Sequence, residues 1–423
     1  MTHRVDAAYA RLADGERPEA WIAIRPEVDV QAEAEAVARR VRDGSTLPLA
    51  GTLFAAKGNI DVAGLLTTAG CPAYGYTPAV SAPVVRRLVD AGAVCLGVTN
   101  LDQFATGLVG QRSPYGAVRH AQDPTLISGG SSSGSAVAVA LGIVDFALGT
   151  DTAGSGRVPA AFHGLVGIKP SRGLVSTTGV VPACRSLDCV TVMSLDLELA
   201  AQAATVMTGY DQDDPWSRTP TPVPEWGRTP VVGVPSADQL GLLAPGWAAA
   251  FARAADRLTG LGARRVEIDL ASFLEVARML YQGSFVAERY TAVGAFVDAH
   301  PDEVDPVVGA IISSARHVPA HRVFADQETL RRVRRISDAT FTRVDALLLP
   351  TTTQHPTQAA VAADPIAVNA DLGRFTNFAN LLDLAAIALP AGEVAGLPFG
   401  VQLIAPAFTD AQLVELGRRF LQP

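Results

Sequence analysis

The chain has 423 residues, of which 48% are hydrophobic and 18% are charged, and its formal net charge at pH 7 is −8. This composition can bury a large core and excludes a disordered chain. An acidic chain has no general attraction for phosphate backbones or anionic lipid, and the sequence has no charge-free run of about twenty apolar residues. We therefore expect a folded protein that binds neither nucleic acid nor membrane.

The cysteine content gives the expected compartment and argues against a metal site. The four cysteines are few for this length and form neither a CxxC pair nor the Cys/His spacing of a metal site. Residues 1–21 are polar and amphipathic and lack the apolar run of a signal peptide. We therefore expect reduced, buried thiols in a cytoplasmic protein that needs no metal and no other cofactor.

Apolar residues at helical spacing are typical of the first fifty residues. Val5, Tyr9 and Leu12 recur at this spacing, and residues 30–41 repeat the pattern. The stretch LPLAGTLFAAKGNI, which is marked by proline and glycine, then begins the body of the chain. We predict an N-terminal helical extension, residues 1–48, followed by one large domain, residues 49–423.

Short apolar segments alternate with longer amphipathic segments through this domain. The apolar segments predict buried strands at residues 53–56, 94–98, 146–149, 231–234, 346–349 and 399–404. The amphipathic segments predict helices at residues 81–93, with Ser81 as the cap, and at 136–141, 247–258, 271–297 and 331–344. This alternation predicts an α/β fold with a central mixed, largely parallel sheet covered by helices.

Residues 127–157 hold two Gly/Ser loops that flank a short apolar helix and strand. A phosphate-binding loop is disfavoured, because the spacing matches neither GxGxxG nor GxxxxGK[ST]. A structural turn is the usual role of an isolated Gly/Ser run. In a catalytic loop, glycines let backbone N–H groups converge on a developing oxyanion and serines supply hydroxyls. Two such loops favour the catalytic interpretation, yet no histidine stands in a recognisable triad context.

The same segment resembles the amidase-signature family through GGSSSGS and GTDTAGSGR, together with FAAKGNIDVAGLLTTAG upstream. The resemblance extends from about residue 49 to the C-terminal ALPAG and GLPFGVQLI patterns and implies the amidase-signature fold. It also implies amide hydrolysis by a Ser–Ser–Lys triad. The triad would be Lys57 as base, Ser131 as proton relay in a cis peptide link with Gly130, and Ser155 as nucleophile.

The resemblance also gives roles to the other residues of the second loop. Backbone N–H groups of Thr152, Ala153 and Gly154, with that of Ser155, would form the oxyanion hole. The charged residues that flank this loop, Asp151 and Arg157, are expected to hold it by ion pairing.

Lysine can act as a base only when it is neutral, and its reference pKa is about 10.4. Burial in apolar surroundings lowers that pKa, because desolvation penalises the charged form. The apolar residues 53–56 that precede Lys57 suit a buried amine. A surface lysine beside a turn is the alternative that the residues alone leave open.

Several stretches resemble one branch of the family, the allophanate hydrolases: NLDQFATGLVGQRSPYG, STTGVVPACRSLDCV and LYQGSFVAERY. In this resemblance Gly107, Tyr281 and Arg289 contact the substrate. Tyr281 and Arg289 are eight residues apart on one predicted helix and so share a side of it, and an arginine can bind a carboxylate through two hydrogen bonds. The alternatives are a core aromatic residue and an exposed helix cation, and Glu288 could neutralise Arg289.

The resemblance predicts hydrolysis of a small anionic amide, allophanate, to ammonia and N-carboxycarbamate in urea degradation. It also implies a homodimer and a functional link to a urea carboxylase. Three alternatives remain: an amidase acting on biuret or another small ureide, the amidase subunit of a tRNA-dependent amidotransferase, and a non-catalytic binding module.

Overall fold

The computed structural model describes residues 2–227, 229–241 and 243–422, which are built around one eleven-stranded sheet. The strands of the described residues are β1 (Trp21–Ile24), β2 (Leu53–Lys57), β3 (Val94–Thr99), β4 (Phe146–Thr150), β5 (Val166–Lys169), β6 (Val190–Ser194), β7 (Val231–Pro235), β8 (Arg264–Ile268), β9 (Ala346–Pro350), β10 (Leu384–Val394) and β11 (Leu397–Pro406). Their order in space is β1-β3-β2-β4-β6-β5-β10-β11-β9-β7-β8.

The sheet is mixed, as predicted, but the expectation that it is largely parallel is wrong. Four neighbouring pairs of described strands are parallel and six are antiparallel. The parallel pairs lie towards the two ends of the sheet, and β6, β5, β10 and β11 form its antiparallel centre. Three of those four strands, β5, β6 and β10, were not among the predicted segments, and without them the pattern resembled a parallel sheet.

Helices cover the sheet. In the described part of the chain they are α1 (Thr2–Ala13), α2 (Glu27–Arg42), α3 (Pro83–Asp90), α4 (Ser133–Ala140), α5 (Arg157–Phe162), α6 (Leu197–Met207), α7 (Ala237–Leu240), α8 (Trp247–Gly260), α9 (Ala271–Gln282), α10 (Val286–Ala299), α11 (Pro306–Ser313), α12 (Ala320–Phe341), α13 (Gln358–Ala363), α14 (Ala367–Leu372), α15 (Phe378–Leu381) and α16 (Asp410–Leu421). None of these described helices is both long and apolar enough to cross a membrane.

Two details of the helix prediction are wrong. Ser81 does not cap α3, because its Oγ accepts a hydrogen bond from the backbone N–H of Ala63, at 2.8 Å. The single helix predicted over residues 271–297 is two helices, α9 and α10. The chain breaks between them where the buried carboxylate of Asp326, on α12, accepts a hydrogen bond from the backbone N–H of Ser284, at 2.7 Å.

The N-terminal segment is not only helical. Strand β1 lies within it and pairs antiparallel with β3, with Trp21 opposite Thr99. Buried residues of α1 and α2, such as Val5 and Val30, share one apolar cluster with Leu53 of β2. The boundary after residue 48 stays a prediction.

Two neighbouring parallel strands, β2 and β4, end at the same edge of the sheet. Lys57 is the last residue of β2, and Thr150 is the last residue of β4. Helix α4 packs against both strands, so the loop that precedes it, residues 129–132, lies at this edge as well. The fold therefore brings Lys57, the first Gly/Ser loop and residues 151–156 together.

Candidate active site

Lys57 lies between two hydroxyl groups at the end of β2. Its Nζ is 2.7 Å from Ser131 Oγ and 2.7 Å from Thr150 Oγ1, and its side chain has no exposed surface. Burial lowers the pKa of the Lys57 amine from its ordinary value to about 7. A substantial fraction of the amine is therefore neutral near neutral pH and able to accept a proton.

Three carboxylates near Lys57 act in the opposite direction. The negative charges of Asp102, Asp188 and Asp151, in that order of size, raise the pKa of the amine and so offset part of the effect of burial. Asp151 is already paired with Arg157, at 2.9 Å, and both side chains are fully buried. The expectation that Asp151 and Arg157 form an ion pair is confirmed.

The serines of the first Gly/Ser loop differ in their contacts. Ser131 follows a cis peptide bond with Gly130 and faces Lys57. Ser132 Oγ accepts a hydrogen bond from the Thr150 N–H at 3.2 Å, and Ser135 Oγ donates to the Leu148 carbonyl at 2.8 Å. Ser132 and Ser135 thus join the loop and helix α4 to strand β4, and Ser131 remains available to Lys57.

Ser155 lies in the 151–156 loop with only 3% of its surface exposed. Its Oγ donates a hydrogen bond to the backbone carbonyl of Gly107, at 3.3 Å. Within the described ranges no hydrogen bond joins the side chains of Ser155 and Ser131; their loops are joined by the Ser132 N–H donating to the Ser155 carbonyl, at 3.3 Å. A proton relay through Ser131 requires the Ser155 hydroxyl to turn away from Gly107.

The N–H groups of the 151–156 loop fall into two sets: those of Asp151 and Gly156 donate to the Cys189 carbonyl and to Asp151 Oδ2, at 2.8 and 3.2 Å, and those between them do not donate within the described residues. Asn380 Nδ2 donates to the carbonyls of Asp151 and Thr152, at 2.6 and 3.1 Å. No described residue accepts a hydrogen bond from the backbone N–H groups of residues 152–155. Gly154 has φ +136°, and a Cβ there would lie 2.3 Å from Thr376 Oγ1, so only glycine fits.

Arg289 and Tyr281 lie on different helices, α10 and α9, and not on the one helix that the sequence predicted. The break between these helices nevertheless leaves them in contact, with Arg289 Cζ 4.9 Å from the centre of the Tyr281 ring. The Arg289 side chain is 1% exposed, and its Nη1 donates to Thr106 Oγ1 at 3.0 Å. The alternative, an exposed helix cation, is thereby excluded.

The Arg289 guanidinium has an unpaired edge. Its buried Nε and Nη2 have no hydrogen-bond partner among the described residues, and no described carboxylate forms an ion pair with it. Glu288 does not neutralise it, because its carboxylate accepts hydrogen bonds from the N–H and Oγ of Ser186, at 2.9 and 2.5 Å.

The comparison with protein families is decisive for the identity of this fold. The model of the amidase family matches residues 5–414. The chain belongs to the amidase family. It is therefore an amidase-signature amidohydrolase.

The amidase is similar to a urea amidolyase, to an allophanate hydrolase and to an amidotransferase subunit. It is 44% identical over 418 residues to the urea amidolyase of Saccharomyces cerevisiae, covering 95% of this chain and 22% of the relative. A Kluyveromyces lactis allophanate hydrolase structure superposes with a TM-score of 0.92 at 40% identity, over 99% of this chain and 70% of the other. A glutamyl-tRNA(Gln) amidotransferase subunit from Symbiobacterium thermophilum is 36% identical over 449 residues, covering 97% of this chain and 91% of the relative. The chain thus spans about a fifth of the length of the urea amidolyases that it matches.

Three groups in this amidase were not singled out from the sequence. Thr150 contacts Lys57, and Asn380 donates to the carbonyl of Asp151 in the 151–156 loop. Asp188 accepts a hydrogen bond from Thr152 Oγ1 at 2.5 Å. Thr150 directly precedes the DTAGS motif, so its position could have been noted. Asp188 lies within the stretch STTGVVPACRSLDCV, but no role was predicted for it, and Asn380 stands in none of the quoted motifs. Tertiary contacts bring both residues to the site.

We expect amide hydrolysis by this amidase to be unchanged after dialysis against EDTA. Base, relay and nucleophile would all be side chains, and within the described ranges no group of three or more His, Cys, Asp or Glu could hold a metal ion. The measurement is the initial rate before and after dialysis, and after zinc or magnesium is added back. A loss that either ion restores would contradict this expectation.

Proposed function

We propose that this chain hydrolyses the small anionic amide allophanate to ammonia and N-carboxycarbamate, with Lys57, Ser131 and Ser155 as the catalytic residues. The observation that carries the proposal is the unpaired, buried edge of Arg289. Buried donors of a cation that lack a hydrogen bond are costly, because they have lost their hydration, and Nε and Nη2 have gained no acceptor among the described residues in its place. An anionic ligand would supply that acceptor.

The geometry of the free edge matches a carboxylate. Nε and Nη2 are neighbouring donors on one side of a guanidinium, and together they can hold both oxygens of a carboxylate. Arg157 uses the same edge in this chain, where its Nε and Nη2 donate to the two oxygens of Asp151, each at 2.9 Å. Arg289 is thus equipped to bind a substrate carboxylate as Arg157 binds Asp151.

Arg289 and Ser155 contact consecutive residues of the chain, and this favours a small substrate. Arg289 donates to the side chain of Thr106, and Ser155 donates to the carbonyl of the next residue, Gly107. Consecutive Cα atoms are about 3.8 Å apart. Allophanate carries its carboxylate and its terminal amide on a single ureido nitrogen, so it can span two groups held this closely.

In the proposed reaction, Ser155 Oγ bonds to the amide carbon while its proton passes through Ser131 Oγ to the neutral Lys57 amine. The backbone N–H groups of residues 152–155 stabilise the oxyanion. Ammonia then leaves with the proton returned by Lys57, and an acyl group stays on Ser155. Water, deprotonated by the same route, attacks the acyl group, releases N-carboxycarbamate and restores the Ser155 hydroxyl.

Two alternatives are disfavoured by particular observations. Biuret has no carboxylate and would leave the Arg289 edge unpaired. An amidotransferase subunit would act with partner subunits, and the identity to that class, 36% against 44% to a urea amidolyase, argues against this role. A non-catalytic binding module does not need the Lys57–Ser131 contact. Cytoplasmic location, a homodimer and a link to urea carboxylation fit the similarity to urea amidolyases and stay predictions.

Arg289→Ala is expected to lower kcat/KM for allophanate by about ten- to a hundredfold or more. A lost hydrogen bond to a charged group costs about 1.5–3 kcal/mol, and each 1.4 kcal/mol is about tenfold in binding. Residual hydrolysis of a neutral amide such as biuret should change little. The measurement is ammonia release by wild type and variant on both substrates.

Two further variants complete the design. Arg289→Lys should restore activity only in part, because an ammonium cannot reproduce the two-point contact. Arg334→Ala removes an arginine that donates to the Leu381 carbonyl and should not distinguish the two substrates. Equal losses of Arg289→Ala on allophanate and biuret would remove the argument for allophanate.

A further inference from the structure

Asp188 is a buried carboxylate beside the 151–156 loop. It accepts hydrogen bonds from Thr152 Oγ1 at 2.5 Å and from the N–H groups of Ala183 and Cys184 at 2.9 and 3.1 Å. Burial raises the pKa of this carboxyl above its ordinary value, and no ion pair involves it among the described residues. All three contacts come from donors, so they favour the ionised carboxylate.

The segment that carries Asp188, residues 183–188, also contacts the helix that carries Arg289. Ser186 donates twice to Glu288 on α10, from its N–H and its Oγ. Cys184 Sγ lies 3.8 Å from the carbonyl of Phe285, directly before α10. We call residues 183–188 the bridging segment. It contacts the 151–156 loop through Asp188 and helix α10 through Ser186.

We propose that Asp188 is a positioning residue: by holding the Thr152 side chain it fixes the backbone N–H groups of the 151–156 loop. The bridging segment also fixes the position of this loop relative to Arg289. The role of the bridging segment rests on the proposed function. The role of Asp188 concerns amide hydrolysis in general and does not depend on which amide is the substrate.

The 151–156 loop is held to the rest of the protein by a few buried side chains. Arg157 binds Asp151, and Asn380 binds the carbonyls of Asp151 and Thr152. Among the residues that the structure describes, only Asp188 forms a hydrogen bond with a side chain of residues 152–154. An oxyanion hole acts through donors that are already aimed before the reaction. A misplacement of about 1 Å can cost about a hundredfold in rate. Holding Thr152 by its hydroxyl therefore holds the N–H groups on either side of it.

Asp188 has a second effect, because its charge acts on the base. Among the described residues, the charges that act on Lys57 are those of Asp102, Asp188 and Asp151, the last of them paired with Arg157. Removing the Asp188 charge should make Lys57 easier to deprotonate. A purely structural role for Asp188 predicts no such change.

The experiment compares Thr152→Val, Thr152→Ser and Asp188→Asn. Thr152→Val keeps the shape and removes the hydroxyl, so kcat should fall about ten- to a hundredfold with little change in KM. Thr152→Ser keeps the hydroxyl and should recover most of that loss. Asp188→Asn should lower kcat as well, and it should also move the acidic limb of the kcat/KM profile to lower pH.

The matched control is Ser194→Ala. Ser194 is a buried hydroxyl that donates to the Asp145 carbonyl at the opposite end of β6 from Asp188, so its loss should leave kcat and the pH profile unchanged. Thermal unfolding of every variant separates misfolding from mispositioning.

A second readout does not depend on the substrate. A fluorophosphonate probe should form a bond from Ser155 Oγ to phosphorus with loss of fluoride, and mass spectrometry follows its rate. Slower labelling of folded Thr152→Val than of wild type supports the positioning role, even if wild type fails to hydrolyse allophanate and the proposed function falls. Labelling and turnover of Thr152→Val at wild-type rates would overturn the role of Asp188.

Discussion

Ser155→Ala should abolish amide hydrolysis, with kcat falling by at least about 10⁴-fold. The hydroxyl would form the covalent bond to the amide carbon, and the other hydroxyl within residues 151–156, that of Thr152, is held by Asp188. Loss of a serine nucleophile alone removes nearly all of the catalysis that a triad supplies. The measurement is the steady-state rate of ammonia release by purified variant and wild type.

Ser135→Ala is the matched control for this experiment. Ser135 is as buried as Ser155 and lies in the same Gly/Ser segment, but its Oγ contacts the Leu148 carbonyl and Thr99, not Lys57. Its loss should lower thermal stability slightly and leave turnover near that of wild type. Substantial turnover by folded Ser155→Ala would refute the assignment of the nucleophile.

Lys57→Met should lower kcat/KM by about 10²–10⁴-fold or more, which is the range for loss of a positioned base. Methionine is similar in length and suits the buried site, so the fold should survive. Ser131 and Thr150 would keep their hydroxyls but lose the amine that lies 2.7 Å from each. A proton leaving Ser155 would then have no acceptor at the end of the relay.

The pH profile of wild type tests the same residue. Burial lowers the pKa of Lys57 to about 7, and only the neutral amine can accept a proton. Below pH 7 the protonated fraction grows, so kcat/KM should fall about tenfold per pH unit there. Above pH 7 it should approach a plateau. Lys57→Met should lose this acidic limb together with most of its activity.

Lys169→Met is the control, because Lys169 is also fully buried but donates to the Pro170 carbonyl. This variant should unfold at a lower temperature and keep the acidic limb near pH 7. A wild-type profile without a limb near pH 7, or a limb that moves in Lys169→Met and persists in Lys57→Met, would exclude Lys57 as the base.

The sequence by itself determined the local parts of this site. Apolar runs identified β2 and β4, and the motifs around Lys57, Ser131 and Ser155 identified the family and predicted the catalytic residues. These signals are local, because strand periodicity and Gly/Ser turn chemistry depend on neighbours along the chain. The ion pair of Asp151 with Arg157 could be expected for the same reason, since its members are six residues apart.

Only the tertiary structure decided which segments meet. Strands β5, β6 and β10 were not predicted, so the antiparallel centre of the sheet was missed. The direction of a strand pair depends on which segments meet, and an apolar run alone does not record it. Asp326, 42 residues further along the chain, binds the N–H of Ser284 where the chain breaks between α9 and α10. Glu288 binds Ser186 and forms no ion pair with Arg289 among the described residues. Arg289 reaches Thr106 across 183 residues of sequence. The burial that lowers the pKa of Lys57 and the free edge of Arg289 both arise from such long-range packing, and no pattern of neighbouring residues records it.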